Sequence, residues 1–309
     1  MRNTSRFALL VLGTVLLVIL WGAYVRATGS GAGCGSNWPL CNGEVLPRAP
    51  AAETLVELTH RISSGIALLL VVVLVVLVFR RFPRGHAARL GAVWSLTFML
   101  TEAGVGAGLV LFELVAENES MARGLFMAVH LINTFLLLAA LSLTWLWSTG
   151  HRRPRRILST PPGRLLLLAH LALLVVGMSG VISALGDTLF PAETLREALR
   201  QDLSPTAHLF VRLRKYHPLL AVIAGLGVMV LPRWIEERWS LRGDRRLGEA
   251  LGLLVLVQVA VGIANVALLA PIWLQLVHLL LADLLWITLV LFSASVLIPA
   301  QGSGAPAAG

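Results

Sequence analysis

The chain has 309 residues, 57% of them hydrophobic and 13% charged, and a formal net charge of +9. A soluble domain carries roughly 25% charged residues, so this composition, with a mean hydropathy of +0.82, excludes an ordinary soluble enzyme and marks an integral membrane protein. The excess of base does not imply nucleic acid, because the arginine clusters alternate along the chain with acidic or mixed segments, as loops on opposite sides of a bilayer do; anionic lipid is the expected polyanion and no nucleic-acid partner is expected.

A bilayer core takes about 20 mostly apolar residues per helix, and eight stretches meet that length, near 7–26, 57–79, 89–112, 121–147, 163–186, 208–231, 247–270 and 273–297. The fold class this predicts is all-α, with eight transmembrane helices. The basic stretches "MRNTSR", "RRFPRGHAAR", "HRRPRRILSTPPGR" and "PRWIEERWSLRGDRR" put both termini in the cytoplasm of a multi-pass cell-membrane protein. The first span has no small-residue cleavage site and runs on into "WGAYVRATGSG", so it reads as a retained helix and not a signal peptide.

After span one, "GCGSNWPLCNG" carries Cys34 and Cys41 on the outer side, with six residues between them. That spacing is wrong for a CxxC metal knuckle and easy for a disulfide-closed loop, whose Cα atoms must lie under about 7 Å apart. A structural staple and a redox-active dithiol both fit. Span two opens on "VELTHRISSG", with Glu57, His60 and Arg61 at its mouth. "TLVE" from Thr54 is a capping-box pattern in which Glu57 reaches back to the cap. Glu57 also lies one helical turn before His60, on the same face.

"TEAGVGAGLVL" in span three aligns with "VQVAVGIANVAL" in span seven, matching Glu102 to Gln258 and Val105-Gly106 to Val261-Gly262. "VILWGAYVRATGSG" at the end of span one resembles "VVGMSGVISALGD" in span five. The chain is therefore expected to form two pseudo-symmetric four-helix bundles, residues 1–150 and residues 151–309, the second ending in a short flexible tail. The basic stretch 148–163 would join them, and small residues on the odd-numbered spans would let neighbouring backbones approach closely.

Topology sorts the histidines. His86 and His151 fall in basic loops and read as solvated, His170 as a packed polar residue, and His208 as interfacial after "SPTA", where Ser204 and Pro205 look like a helix cap and first helical position. His60, His130, His217 and His278 differ: each sits near the outer end of an even-numbered span, so each bundle carries one pair at one depth. Polar groups in lipid are costly and mark function. Zinc would bring a third protein ligand and a tighter cluster, whereas haem takes one or two imidazoles from facing helices of a bundle; haem is the reading that fits. Its propionates need cations, and Arg26, Arg61, Arg123, Arg212, Arg214 and Lys215 stand near the outer interface, where they also suit ordinary anchoring. An acid beside a haem edge can accept or deliver protons, which is a role for Glu57. The second half has Arg214 where that acid would stand, so the first bundle is expected to react and the second to hold.

The Cys34/Cys41 loop with "NWPLCNG", the "ExxHR" of Glu57 to Arg61, and single histidines at 130, 217 and 278 on alternate helices resemble the haem A synthase family, membrane enzymes that convert haem O to haem A for terminal oxidases. The resemblance extends to about residue 297. It implies oxidation of the C8 methyl of haem O to a formyl group by successive hydroxylations, with a resident haem b as redox partner. By position it implies that His60 and His130 face the substrate haem, that Glu57 is the catalytic acid, and that His217 and His278 ligate haem b. Arg61, Arg214 and Lys215 would stand beside the haems. Cys34 and Cys41 resemble the family's outer-loop pair, proposed to pass electrons or assist haem transfer. Two departures stand out: Glu102 where a glutamine like Gln258 would be expected, and His208 as a rival to His217, which the repeat position and "HP" at the helix mouth favour. The partners implied are the bilayer, haem O, the farnesyltransferase that makes haem O, and an electron donor or acceptor of open identity; a homo-oligomer is left open. The rivals are a dihaem, quinol-oxidising cytochrome b and a haem-binding chaperone.

Overall fold

The computed structural model describes residues 2–151 and 159–297. The C-terminal tail and the middle of the basic connection lie outside the described residues. Among those described, all regular structure is helical, and eight helices are long and apolar enough to cross a membrane. The chain is a multi-pass membrane protein.

The helices are α1 (Arg2–Ala27), α2 (Ala52–Arg81), α3 (Ala87–Leu111), α4 (Met121–Ser148), α5 (Pro161–Leu189), α6 (Leu195–Leu203), α7 (Leu209–Arg214), α8 (Tyr216–Trp239), α9 (Arg245–Ala267) and α10 (Ile272–Leu297). Side-chain caps set several starts. Ser120 accepts from the Arg123 N–H, Thr160 accepts from the Gly163 N–H with proline in the first turn, and Asp244 accepts from two N–H groups of α9.

Two expectations need correction. The sixth span, Leu209–Trp239, is divided at Lys215 into α7 and α8. Pro218 explains the division: it has no N–H to return to the carbonyl of Arg214. Ser204 and Pro205 do not start that span; Ser204 ends α6, and His208 is the cap, its Nδ1 accepting from the Phe210 N–H at 3.3 Å. The connection between the expected spans 163–186 and 208–231 holds a further helix, α6, at 195–203. It forms because Thr194 and Glu197 make a capping box there, Thr194 Oγ1 accepting from the Glu197 N–H and Glu197 Oε2 from the Glu193 N–H.

Helices α1 to α4 form a closed ring of neighbours, each packing on the next and α4 returning to α1; α5, α8, α9 and α10 form another. The rings join where α4 packs on α5 and α10, and α1 on α10. Val11, Val71, Leu74, Leu138, Leu141, Leu166, Ile235, Leu251 and Leu289 fill the interior, while residues such as Leu17, Leu69 and Ile263 face outward, as lipid allows. Across the seam, Trp286 stacks on Phe135 with ring centres 4.8 Å apart and donates its indole N–H to the Phe135 carbonyl at 2.6 Å. An indole buried in a bilayer needs such an acceptor, since no water supplies one.

The tightest crossing is that of α3 and α4. A Cβ on Gly91 would lie 2.5 Å from Thr144 Oγ1 and 3.1 Å from Thr144 Cα, so that face of α3 admits no side chain. Gly91→Val is expected to push α3 off α4 and destabilise the protein by ~1–3 kcal/mol, the usual cost of overpacking. Thermal unfolding of the purified protein in detergent checks this, and an unchanged transition would contradict the crossing.

Candidate functional site

One cavity of about 1400 Å³ is lined by His60, His130, His217 and His278 together. The four lie roughly 12, 14, 12 and 9 Å along their spans from the N-terminal ends, at 1.5 Å per residue, so they share a level. The volume exceeds the roughly 300–1,000 Å³ of a single small-molecule site. Trp38 and Pro39 of the cysteine loop and Leu195, Ala198 and Leu199 of α6 also line it, among the segments outside the spans.

In the second half, the rings of His217 (α8) and His278 (α10) have centres 6.3 Å apart and planes at 88°. Two imidazoles on opposite sides of one metal, with metal–nitrogen bonds of about 2.0–2.1 Å, carry their ring centres roughly 6 Å apart. The tautomer of His217 follows from its neighbour. Ser179 Oγ donates to the Val176 carbonyl at 2.7 Å and so accepts from His217 Nδ1 at 2.9 Å; the proton is on Nδ1 and Nε2 keeps its lone pair. His278 Nε2 lies 3.5 Å from the Gln258 amide nitrogen, and its buried Nδ1 has no partner among the described residues. These features fit a bis-imidazole haem. Among the described residues, no group of three or more His, Cys, Asp or Glu could hold a bare metal ion.

Glycines make room for these rings. A Cβ on Gly22 of α1 would lie 2.9 Å from His60, one on Gly180 of α5 3.0 Å from His217, and one on Gly262 of α9 3.2 Å from His278. His130 has no such glycine; it faces Glu102 on α3, whose Oε1 is 3.4 Å from His130 Nδ1.

The cysteine loop is built onto the start of α2. Cys34 and Cys41 form a disulfide with Cα atoms 4.4 Å apart, and both are buried with Leu58. The expected capping box is absent: α2 begins at Ala52 without a side-chain cap, and Thr54 donates to the Gly33 carbonyl instead. Gly33 meets the backbone of Glu53 and Thr54 so closely that a Cβ there would lie 2.5 Å from the Glu53 carbonyl. Glu57 turns to the loop as well. Its Oε2 accepts from the Cys34 N–H at 2.8 Å, and its Oε1 accepts from Nε and Nη2 of Arg61, which also donates to the carbonyls of Asn37 and Leu40. Glu57, 3% exposed, thus fixes the loop, Arg61 and α2 together beside His60.

Of the expected cations, Arg26, Arg61, Arg123, Arg214 and Lys215 line the cavity. Arg212 is exposed and does not. Arg26 reaches from α1 to the Ala184 carbonyl, Thr188 and Gln275 of the other ring, and Arg123 binds the carbonyls of Ala116 and Asn118. The second half is not without acids: Arg214 pairs with Asp187 at 2.9 Å and Asp202 at 2.7 Å. His208 lies between Phe190 and Phe210, outside the cavity lining. His86 is a helix cap stacked on Phe82 rather than a freely solvated residue. His170 bonds the Leu166 carbonyl and packs edge-on against Trp286, and His151 meets Thr149 at 2.8 Å.

Sequence reasoning missed Ser179, Asp187, Asp202, Asn133, Thr134 and Asp283. Asp283 was readable, as a lone acid in the apolar run "HLLLADLLW"; it is fully buried, lines the cavity, and neither carboxyl oxygen has a partner among the described residues. Serines and threonines in apolar spans carry no comparable signal.

A family model described as COX15-CtaA, cytochrome oxidase assembly protein, matches residues 5–290. Among curated proteins, one from Thermus thermophilus named protoheme IX farnesyltransferase is 49% identical over 296 residues, which is 95% of this chain and 49% of that protein. The chain therefore spans about half the length of that relative. A heme A synthase from Exiguobacterium sibiricum is 34% identical over 137 residues, 44% of this chain and 45% of its own length. One from Bacillus cereus is 42% identical over 98 residues, 32% of each chain.

Replacing Ser179 by Ala deletes the acceptor that holds the His217 tautomer. The expected result is a folded protein whose second-half site binds haem about 10–100-fold more weakly, the usual cost of losing a group that orients a metal ligand. Titration with haem b followed by absorbance checks this.

Proposed function

The chain belongs to the COX15-CtaA family of cytochrome oxidase assembly proteins, and from that premise we propose that it is a membrane oxidoreductase, a haem A synthase that oxidises the C8 methyl of haem O to a formyl group by successive hydroxylations, with a bound haem b as redox partner. The observation that carries this reading is the pair of imidazole pairs on one cavity, two rings of which stand at the spacing of axial ligands. The shared stretches with proteins named heme A synthase support it.

In this reading His217 and His278 hold haem b, which supplies a one-electron carrier within the bilayer. Arg214 and Lys215 stand at the cavity wall for its propionates, and His60 and His130 receive haem O, with Arg61 at its outer edge. Glu57 acts beside His60. Its two oxygens already accept from Arg61 and the Cys34 N–H, so what it offers the reacting methyl is foremost a fixed negative charge, held against developing positive charge in a site of low dielectric. The buried disulfide serves the same arrangement by fixing the Cys34 N–H on which Glu57 rests; we assign it as a staple first.

The two rings of helices are then the reacting half, 1–150, and the haem b half, 151–309, related about an axis along the membrane normal, with both termini on the cytoplasmic side of the cell membrane. The farnesyltransferase that makes haem O is the proposed partner. A relative twice as long that bears a protoheme farnesyltransferase name supports that pairing, since prenylated haem is what this reaction consumes.

The test is expression beside a haem O supply, extraction of the haems and chromatography. Haem A is expected in the wild type. Glu57→Gln should fold and keep haem b yet lose about 10²–10⁴-fold in haem A formed per folded enzyme. Two permanent haems with no haem A would replace the synthase by an electron-transfer cytochrome, and a yield within about threefold in Glu57→Gln, well below the effect of a catalytic group, would remove Glu57 from the chemistry.

A further inference from the structure

Glu102 is held by a network that neither the cavity nor the family resemblance requires. The Asn133 side chain is oriented by the Phe98 carbonyl at 2.8 Å: a carbonyl only accepts, so the amide nitrogen faces it, and the second amide hydrogen goes to Glu102 Oε2 at 2.5 Å. Asn133 Oδ1 in turn takes the hydroxyl of Thr101 at 2.5 Å. Thr134 Oγ1 lies 2.5 Å from Glu102 Oε1 and 2.9 Å from the His130 carbonyl, and its single proton serves one of these two acceptors at a time. Both supports come from α4, one helical turn beyond His130, and the oxygen held by Thr134 is the one 3.4 Å from His130 Nδ1. That nitrogen is buried and has no aligned hydrogen bond. In the second half the aligned residue is a neutral amide, Gln258, which approaches the other nitrogen of its histidine, Nε2 of His278.

We propose that Glu102 is a positioning residue for His130: its carboxylate, facing Nδ1 at 3.4 Å, keeps the proton on Nδ1, fixes the tautomer with the lone pair on Nε2, and makes His130 a stronger electron donor to iron than His278. The inference rests on the reading of His130 as a haem-facing residue. A carboxylate behind a ligating imidazole fixes the ring and raises its basicity, which an amide does much less. Hydrogen bonding behind an axial ligand is also one of the protein's levers on reduction potential. The first-half haem is thereby biased toward the ferric state relative to the second, a difference between the halves that comes from one acid and not from the ligands, which are imidazoles in both.

The experiment is a spectroelectrochemical titration of the haem-loaded protein, wild type against Glu102→Gln and Thr134→Val, with His130→Ala and His217→Ala marking which haem belongs to which half. In Glu102→Gln the midpoint potential of the haem lost in His130→Ala is expected to rise, while that of the haem lost in His217→Ala stays in place. Haem affinity of the first half is expected to fall about 10–100-fold. Thr134→Val, which keeps the charge and removes one support, should shift the same haem in the same direction by less; if Glu102→Gln does not fold, this variant decides. A first-half haem that is bound normally with an unmoved potential overturns the role of Glu102 and leaves the proposed function standing. A His130→Ala protein that keeps both haems with unchanged spectra and potentials overturns both, because iron then does not sit on that histidine.

Discussion

The constraint on which the structure depends is the absence of water between the two faces of the bilayer. Polar groups in that layer are costly unless bonded by protein or by what the protein binds, and much of the arrangement around the cavity follows from that cost. Glu57 does not float at the mouth of α2; it is closed by Arg61 and by a loop amide that a disulfide holds in reach. Arg214 is closed by two aspartates from two other segments, and Trp286 by a carbonyl of the opposite ring. Among the buried polar atoms without a protein partner in the described residues, Nδ1 of His60 and of His278 and both oxygens of Asp283 belong to residues on the cavity wall.

The two rings of helices carry similar features with different side chains. Each has an imidazole pair, and three of the four rings rest on a glycine of the preceding span. The fourth, His130, rests against an acid, and His217 rests against a serine as well as its glycine. The backbone scaffold sets where the rings are, and the groups behind them set what each ring does. Both imidazole pairs open onto one cavity.

What the sequence made legible follows from how strong each signal is in lipid. Eight runs of about 20 apolar residues need no tertiary context, and four histidines at one depth in alternate spans stand out because such residues are rare there. The cysteine spacing was sufficient for the disulfide. Local patterns fared worse where tertiary contacts competed for the same atoms. "TLVE" has the form of a capping box, yet Thr54 and Glu57 are both drawn off by the loop at Gly33 and Cys34, a contact across more than 20 residues that no local pattern contains. The T-x-x-E at Thr194 does cap a helix, because nothing else claims it. Arg214 looked like the replacement of an acid by a base; its aspartates, 27 and 12 residues earlier in the chain, were invisible to a reading along one helix.

Arg26 sits near the end of the first span, and its guanidinium is bonded entirely by the other half: the Ala184 carbonyl and Thr188 on α5, and Gln275 on α10. A chain is inserted in order, from the first span to the last. Until α5 and α10 are in place, then, this protein carries an arginine near the end of α1 whose acceptors have not yet been made, so the clasp closes only once both rings of helices are present.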